Sequence, residues 1–130
     1  MRYYIAVVHK DPDSAYGVHF PDVQGVYSAA DDMDILVANA AEALALYADD
    51  TALPDPRSIE EIRKDAEVAA DVAAGAFLIA VPHIENDARV ARVNITMEAG
   101  LLRAIDEAAK SRKLTRSAFL AQAARHEIEQ

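Results

Sequence analysis

The sequence lacks cysteine altogether and has four histidines in 130 residues. The absence of cysteine excludes disulfides, thiolate metal sites and cysteine nucleophiles, and it is compatible with a reducing cytoplasm. The histidines lie far apart in the sequence and lack the spacing of metal ligands. We therefore expect no metal and no cofactor, with each imidazole hydrogen-bonded or solvated. These histidines are His9, His19, His83 and His126.

Long apolar runs are also missing. No stretch approaches the ~20 residues that cross a membrane, and the apolar segment between Arg2 and His9 is too short for the core of a signal peptide. The chain is therefore expected to stay in the cytoplasm. Its length gives room for one ordinary domain, or for one small domain with an appendage that completes its core elsewhere.

Basic residues are scarce in the first two thirds of the chain. Residues 1–85 contain 5 Lys and Arg against 16 Asp and Glu, a net charge of −11, whereas residues 86–130 contain 8 against 6, a net charge of +2. An acidic surface attracts basic partners and repels nucleic acid, while a mildly basic segment can approach phosphates. The asymmetry indicates two functions, although a solubility surface with chance clustering would give the same pattern.

Three short strands are predicted near the N-terminus. Residues 2–9 are rich in β-branched and aromatic types, and residues 10–14 form a turn-like cluster. A second strand covers residues 16–20 and is stopped by Pro21, and a third covers residues 25–28. Strands joined this closely are expected to form an antiparallel meander.

An amphipathic helix is predicted to lie on this sheet. Apolar residues recur close to a 3.6-residue period from residue 33 to residue 47, and Asp31 or Asp32 is placed to cap the start. A continuous apolar run over residues 76–81, ended by Pro82, predicts a further strand that pairs inside the same sheet.

A second helix is predicted between these two elements. Pro54 and Pro56 break the chain, and Ser58 opens a capping box with Glu61. Gly75 is suited to a left-handed stop. The apolar stripe of this helix is expected to contain Ile59, Ile62, Ala66, Ala69 and Ala73.

A polar linker at residues 85–87 is expected to separate an N-terminal domain, residues 1–85, from a second segment, residues 86–130. Within the second segment, residues 92–97 alternate between polar and apolar types and predict a half-buried strand. A helix from residue 98 to residue 110 follows, and a second helix comes after a short turn. The predicted order is therefore strand, helix, helix.

This segment of about forty residues is near the lower limit for burying enough apolar surface alone, and its strand has no neighbour in sequence to pair with. We therefore predict a homodimer in which two copies of the strand pair antiparallel across a two-fold axis. The side chains buried against the four helices would be Val93, Ile95 and Met97. The side chains pointing outward in duplicate would be Arg92, Asn94 and Thr96.

These outward side chains suit base recognition in DNA. A two-stranded ribbon fits the major groove, where arginine bonds guanine, asparagine bonds adenine and threonine contacts thymine. The helix capped by Thr115 would present N–H groups and a positive dipole end to a phosphate, with Arg116 and Ser117 beside it. An ordinary solvated strand face would show the same alternation, so the pattern alone does not decide between these interpretations.

The string RVNITMEAGLLRAIDEAAKSRKLTRSAFLAQAARHEI, residues 92–128, closely resembles the ribbon-helix-helix family of DNA-binding dimers. This resemblance favours DNA binding, because the family reads bases with the alternate polar residues of the strand. Here those residues are Arg92, Asn94 and Thr96. The family usually has glycine in the inter-helix turn where Lys113 stands, and a left-handed backbone there would cost lysine about 1 kcal/mol.

Residues 16–44 resemble the HicB domain. That family has a strand ending in Pro-Asp, a glycine that opens the next strand, and a helix bearing Asn-Ala-x-Glu-Ala-Leu. The matching residues here are Pro21 and Asp22, Gly25, and residues 39–44. The departures are Gln24, Ala30 and Ile35, where the family often has proline, glycine and an acidic residue.

Together the two resemblances imply a HicB-type antitoxin. The implied fold class is α+β: a three-stranded meander, a helix and a further strand, as in a partial ribonuclease H core, followed by a ribbon-helix-helix dimerisation segment. Such proteins mask HicA, a small basic toxin that cleaves mRNA, and repress their own operon at palindromic operator DNA. The acidic charge of residues 1–85 suits a basic partner. Dimers of dimers are common in the family, so a dimer and a tetramer both remain open.

Two other functions are compatible with the residues. The ribonuclease H resemblance allows a magnesium-dependent nuclease built on aspartates, but local capping and turn bonding explain all of them, so we expect no catalytic residue. The aspartates concerned are Asp11, Asp13, Asp22, Asp31, Asp32 and Asp34. The other function is that of a stand-alone transcriptional repressor whose N-terminal domain senses a ligand, although the sequence offers no convincing pocket.

Overall fold

The computed structural model of the chain describes residues 1–85, 87 and 89–130. The chain divides into two compact units, residues 1–86 with residues 129–130, and residues 87–128. The linker predicted from the sequence includes Asn86, which lies outside the described residues. Across the part of the chain that is described, no helix combines the length and the apolar composition that a membrane span requires.

The N-terminal unit is built on a four-stranded antiparallel sheet. Strands β1 (Arg2–Lys10), β2 (Tyr16–Phe20) and β3 (Val23–Ala30) form the predicted meander, and β4 (Phe77–His83) pairs with the other side of β1. The strand order is therefore β3-β2-β1-β4. With the helices described below, this arrangement confirms the predicted α+β class.

Pro82 does not end the fourth strand, contrary to the sequence prediction. It pairs with Tyr3 within the β1–β4 ladder, and the strand continues to His83. This is possible because β4 lies at the edge of the sheet and not inside it. At an edge, a residue without an N–H can face away from the ladder and lose no hydrogen bond.

Helix α1 (Leu36–Asp50) covers one face of the sheet. A 3-10 turn, Met33–Ile35, leads into it, and the carboxylate of Asp32 caps that turn by accepting from the N–H groups of Asp34 and Ile35 at 2.9 and 3.3 Å. The predicted cap is thus formed by Asp32. The main core lies between helix and sheet, and its most deeply buried members are Tyr4, Ala6, Val8, Leu36, Ala40, Leu44 and Val81.

Two short helices, α2 (Ile59–Arg63) and α3 (Ala66–Ala73), replace the single second helix that the sequence predicts. The capping box at Ser58 is formed as expected. The chain breaks at Asp65, whose carboxylate accepts from two first-turn N–H groups of α3 at 3.0 and 3.4 Å. Gly75 has a φ of +111°, the left-handed stop expected there.

The break at Asp65 changes which residues face the sheet. Ile62 and Val68 are buried, and they pack with Ile5 and Val7 of β1 in a second core cluster. The predicted apolar stripe is confirmed at Ile59 and Ile62. It is wrong for its three alanines, which are exposed because a new helix starts at a different rotation: Ala66, Ala69 and Ala73.

The C-terminal unit contains helices α4 (Ala99–Ser111) and α5 (Arg116–Ile128), the predicted pair. Lys113, in the turn between them, has a φ of +57°. The left-handed backbone that the ribbon-helix-helix family usually gives to glycine is therefore present here with lysine, at a cost of about 1 kcal/mol.

Residues 92–97, predicted as a half-buried strand, have no regular secondary structure in the single chain. The burial predicted for Val93 and Ile95 concerns the dimer, and in the single chain these side chains are 78% and 64% exposed. The physical reason is that a strand requires a hydrogen-bonded neighbour, and no described segment of the same chain pairs with these residues. Pairing with a second chain stays a prediction.

Candidate functional site

Residues 92–97, the segment before α4, carry a row of polar side chains and a row of apolar side chains. Three of the six predicted DNA-contacting residues, Arg92, Asn94 and Thr96, are exposed on it. They alternate with the exposed apolar residues Val93 and Ile95. Large apolar side chains exposed in a regular row differ from singly scattered ones and are typical of contact surfaces. The segment therefore offers one polar row and one apolar row to partners outside its own chain.

An open groove of about 980 Å³ lies between this segment and the two helices. It is lined by Arg92, Asn94 and Thr96 from the segment and by Arg116 and Ser117 from the first turn of α5, together with apolar side chains of both helices. Five of the six predicted DNA-contacting residues are thus brought to one place, although they are separated by some twenty residues of sequence.

Thr115, the sixth, begins α5 as predicted. Its hydroxyl accepts a hydrogen bond from the N–H of Ala118 at 3.1 Å, and its carbonyl accepts from the N–H of Phe119 at 3.0 Å. The first N–H groups of a helix have no partner within the helix, and the helix dipole is positive at that end. The first turn of α5 can therefore bind a phosphate oxygen.

The side chain of Arg116 does not stand free beside this helix end. Its guanidinium donates two hydrogen bonds of 2.8 Å to the carboxylate of Asp106 on α4. These bonds raise the pKa of Arg116 and hold the pKa of Asp106 below its usual range. Arg116 thus joins the two helices, and its direct role toward a phosphate is reduced relative to the prediction.

The N-terminal unit uses basic side chains in ion pairs with its own carboxylates. Arg2 lies 3.3 Å from Asp55, and Arg57 lies 2.6 Å from Asp22 and 3.3 Å from Asp65. Many other carboxylates of this unit are exposed, so its surface field is strongly negative. They include Asp11, Asp13, Asp31, Asp32, Asp34, Glu42, Asp50, Glu60, Glu61 and Glu67.

Asp22 is the buried exception among these carboxylates, with a side chain only 7% exposed. One oxygen accepts from the Nε of Arg57 at 2.6 Å, and the other accepts from the backbone N–H of Arg57 at 2.8 Å. The hydrogen bond to Asp22 is the main reason why the pKa of Arg57 is raised. The Pro-Asp pair after β2 therefore attaches the β2–β3 turn to the segment that precedes α2.

We predict that Asp22→Ala lowers the free energy of unfolding of the N-terminal unit by about 2–3 kcal/mol, because the Nε and the backbone N–H of Arg57 lose their partner and the guanidinium keeps only Asp65. All five tyrosines lie in residues 1–85, so tyrosine fluorescence during urea unfolding reports on this unit. The exposed Asp31→Ala is the control, expected within about 0.5 kcal/mol of the parent. Equal stability of the two variants would contradict the structural role of Asp22.

Two of the six aspartates considered for a nuclease accept local hydrogen bonds, and a third lies in a turn. Asp22 is bound by Arg57, Asp32 caps the turn before α1, and Asp13 lies in the β1–β2 turn. Among the described residues, one group of three or more potential metal ligands is close enough to share an ion, and it contains none of the candidate aspartates.

That group consists of His9, His19 and Asp71. Although the histidines lie far apart in the sequence, the β1–β2 hairpin brings His9 and His19, ten positions apart, onto neighbouring strands. The turn cluster at residues 10–14 could have been used to predict the hairpin register. That register places the two histidines on the same face of the sheet. Nothing in the local sequence indicates Asp71.

A family model described as the HicB-like antitoxin of bacterial toxin-antitoxin systems matches residues 4–124 of the chain. The matched range includes most of both compact units. No curated protein sequence gives a significant match.

Solved structures give the same result at the level of the fold. The Burkholderia pseudomallei antitoxin HicB is 31% identical, with 95% of this chain and 96% of that chain covered and a TM-score of 0.58. The N-terminal domain of a Burkholderia pseudomallei antitoxin HicB (24% identity, TM-score 0.50) and a HicA3 and HicB3 toxin-antitoxin complex (21%, 0.52) each cover 64% of this chain and 99% of their own. At these lower identities the two matches support the fold alone.

Proposed function

Because the chain belongs to the HicB-like antitoxin family of bacterial toxin-antitoxin systems, we propose that its N-terminal domain neutralises a HicA-like mRNA-cleaving toxin in the cytoplasm. We propose further that residues 86–130 form a ribbon-helix-helix dimer that binds operator DNA and represses the operon. In this proposal the protein acts by binding and not by catalysis. The family match over residues 4–124 carries the antitoxin part.

The charge of the N-terminal domain supports a basic toxin as its partner. Residues 1–85 have a net charge of −11, and Arg2 and Arg57 lie in internal ion pairs. An enzyme that cleaves mRNA needs a positively charged surface that binds the phosphates. A carboxylate-rich protein surface can bind there in place of the RNA, and it also repels RNA. The solved complex of HicA3 with HicB3 provides a precedent in a protein of the same fold. In this proposal the resemblance to ribonuclease H concerns the fold of the domain and not a nuclease activity.

The exposed apolar row of the C-terminal unit supports the dimer. In the described part of this unit only Ile105 and Ala109 are buried, so a single copy has almost no core. Antiparallel pairing of two copies of residues 92–97 would satisfy the backbone and turn Val93 and Ile95 toward the helices of both chains. Leu102 and Leu120, which line the groove beside the segment, would be covered by the apolar side chains of the second copy.

The same pairing would place the polar row in the major groove of DNA. Arg92, Asn94 and Thr96 would face base edges in duplicate, and the first turn of α5, with Thr115 and Ser117, would bind a backbone phosphate. Arg116, held by Asp106, would orient that turn. Because two copies read the site, the operator is expected to be palindromic.

Co-expression with the small open reading frame next to the gene tests the proposal. A toxic product whose effect on growth disappears in the presence of this protein, with a stable complex on purification, is the expected result. Light scattering of that complex distinguishes a dimer from a dimer of dimers. No toxicity and no complex would refute the antitoxin function and favour a ligand-responsive repressor.

We predict that Asn94→Ala weakens operator binding at least ~10-fold and relaxes base preference, because each good base contact contributes about 1–3 kcal/mol. Toxin neutralisation should stay intact. Gln122→Ala, which removes an exposed amide from α5, is the matched control. Electrophoretic mobility shifts on the operator and on a scrambled duplex measure both effects, and equal loss of operator binding and neutralisation would contradict the assignment of the two functions to separate segments.

A further inference from the structure

Two imidazoles lie side by side on the sheet face that α3 covers. In the β1–β2 ladder, Val7 pairs with His19 and His9 pairs with Gly17, so the two histidines are diagonal neighbours on one face. Their rings are stacked, with centroids 5.2 Å apart and an interplanar angle of 18°. The hairpin therefore presents two ring nitrogens to the same volume.

Asp71 reaches this volume from α3. It lies three residues after the buried Val68, so both side chains are on the helix face that meets the sheet. Its Oδ2 atom is 3.9 Å from the Nε2 atoms of His9 and His19. The backbone is fixed at this point, because the carbonyl of Asp71 accepts a hydrogen bond from the N–H of Ala76 at 3.0 Å.

The surroundings suit a metal ligand set. The three side chains are 33–44% exposed, so an ion can reach them from solvent. Imidazole nitrogen and carboxylate oxygen are both groups that bind zinc in proteins.

We propose that His9, His19 and Asp71 bind one divalent transition-metal ion of the zinc class, with further coordination positions left open to solvent or to a partner group. This site includes none of the proposed operator contacts and goes beyond the proposed function. Ligand atoms that all lie within 4.8 Å of one another need only small side-chain rotations to reach a common ion at about 2.0–2.2 Å.

The donor atoms select the ion. Imidazole nitrogen favours zinc, nickel and copper, whereas magnesium and calcium prefer oxygen ligands throughout. His19 and Asp71 also line a surface cavity of about 400 Å³ that includes Glu67. An ion held here would have open positions on the cavity side, beside another carboxylate.

Metal binding would connect β1, β2 and α3 through one ion. An ion that binds the folded state and not the unfolded state stabilises it by mass action. We therefore expect zinc to raise the melting temperature of the N-terminal unit by ~5 °C or more when it is in large excess over the dissociation constant, and magnesium to leave it unchanged.

The test uses the full-length protein without a histidine tag, stripped with a chelator and titrated with zinc chloride in a calorimeter. One equivalent per chain is expected, and cobalt in place of zinc should give visible d–d absorption bands. His19→Gln and Asp71→Asn should each weaken zinc binding at least ~10-fold. Loss of a residue that only supports a metal ligand already lowers metal affinity by about 10–100-fold, and His19 and Asp71 are themselves proposed ligands. His126→Gln, a change of an exposed histidine on α5, should bind as the parent does.

Circular dichroism without metal shows whether each variant is folded. If His19→Gln does not fold, the near-isosteric Asp71→Asn still tests the proposal. Zinc binding that is the same in the parent, His19→Gln and Asp71→Asn would overturn the proposal, because the ion would then lie elsewhere. Absence of binding heat and of cobalt bands in excess metal would overturn it as well.

Discussion

Ile95→Asp is expected to convert the protein to a form that no longer dimerises through its C-terminal segment and no longer binds operator DNA. Ile95 is 64% exposed in the single chain, and in the proposed ribbon it lies against the helices of both chains. Burying an unpaired carboxylate there costs several kcal/mol, and the two-fold axis repeats that cost in the second chain. An effect of this size exceeds what any single base contact contributes.

The measurements are light scattering for the dimer and mobility shifts for operator binding. The matched control is Ile95→Val, which keeps an apolar side chain and should lower the free energy of dimerisation by only about 0.5–1.5 kcal/mol per chain. Toxin neutralisation should survive both changes, because the proposed toxin surface lies in residues 1–85. A stable dimer of the Ile95→Asp chain that still binds operator would refute the ribbon.

The N-terminal sheet is predictable from the sequence because its signals are local. β-Branched and aromatic residues mark the first strand, and the turn cluster before Tyr16 closes the hairpin. The capping box at Ser58 is likewise a local signal. The end of β4 is the exception, because Pro82 is predicted to stop the strand and instead lies within it. The cause is tertiary, since a proline is tolerated there only because β4 lies at the edge of the sheet.

Other features depend on competition between signals or on distant residues. At Asp65 a capping signal competes with the alanine periodicity, and the cap prevails because its side chain accepts two backbone N–H groups. The pairing of Arg116 with Asp106, and the approach of Asp71 to the histidines, follow only from how elements pack. No window of sequence contains that information.

The segment at residues 92–97 is a different case. Its alternation is clear in the sequence, yet the single chain leaves it without a hydrogen-bonded neighbour and with its apolar row exposed. A strand whose partner is an identical strand of another chain cannot form in one copy. The disagreement between the pattern and the isolated chain is therefore itself an argument for the dimer, and it is the reason why Ile95 is the most informative position to change.

Truncation after Glu85 is expected to leave a folded fragment that neutralises the toxin and has lost operator binding. The main core cluster, from Tyr4 to Val81, lies entirely within the fragment, and so does the second cluster around Ile62 and Val68. The cut removes all proposed DNA contacts and leaves a net charge of −11, so operator affinity should fall at least ~1000-fold, to or below the non-specific level.

Tyrosine fluorescence and circular dichroism during thermal unfolding measure the fold of the fragment, and the growth test measures neutralisation. Asp22→Ala in the fragment is the matched control, because it should lower the melting temperature by the same mechanism as in the full chain if the fragment keeps the native structure. An unfolded fragment would show that the C-terminal segment completes the N-terminal core. A folded fragment that fails to neutralise would show that toxin binding needs the dimer, since two linked copies of a weak site bind more tightly than one.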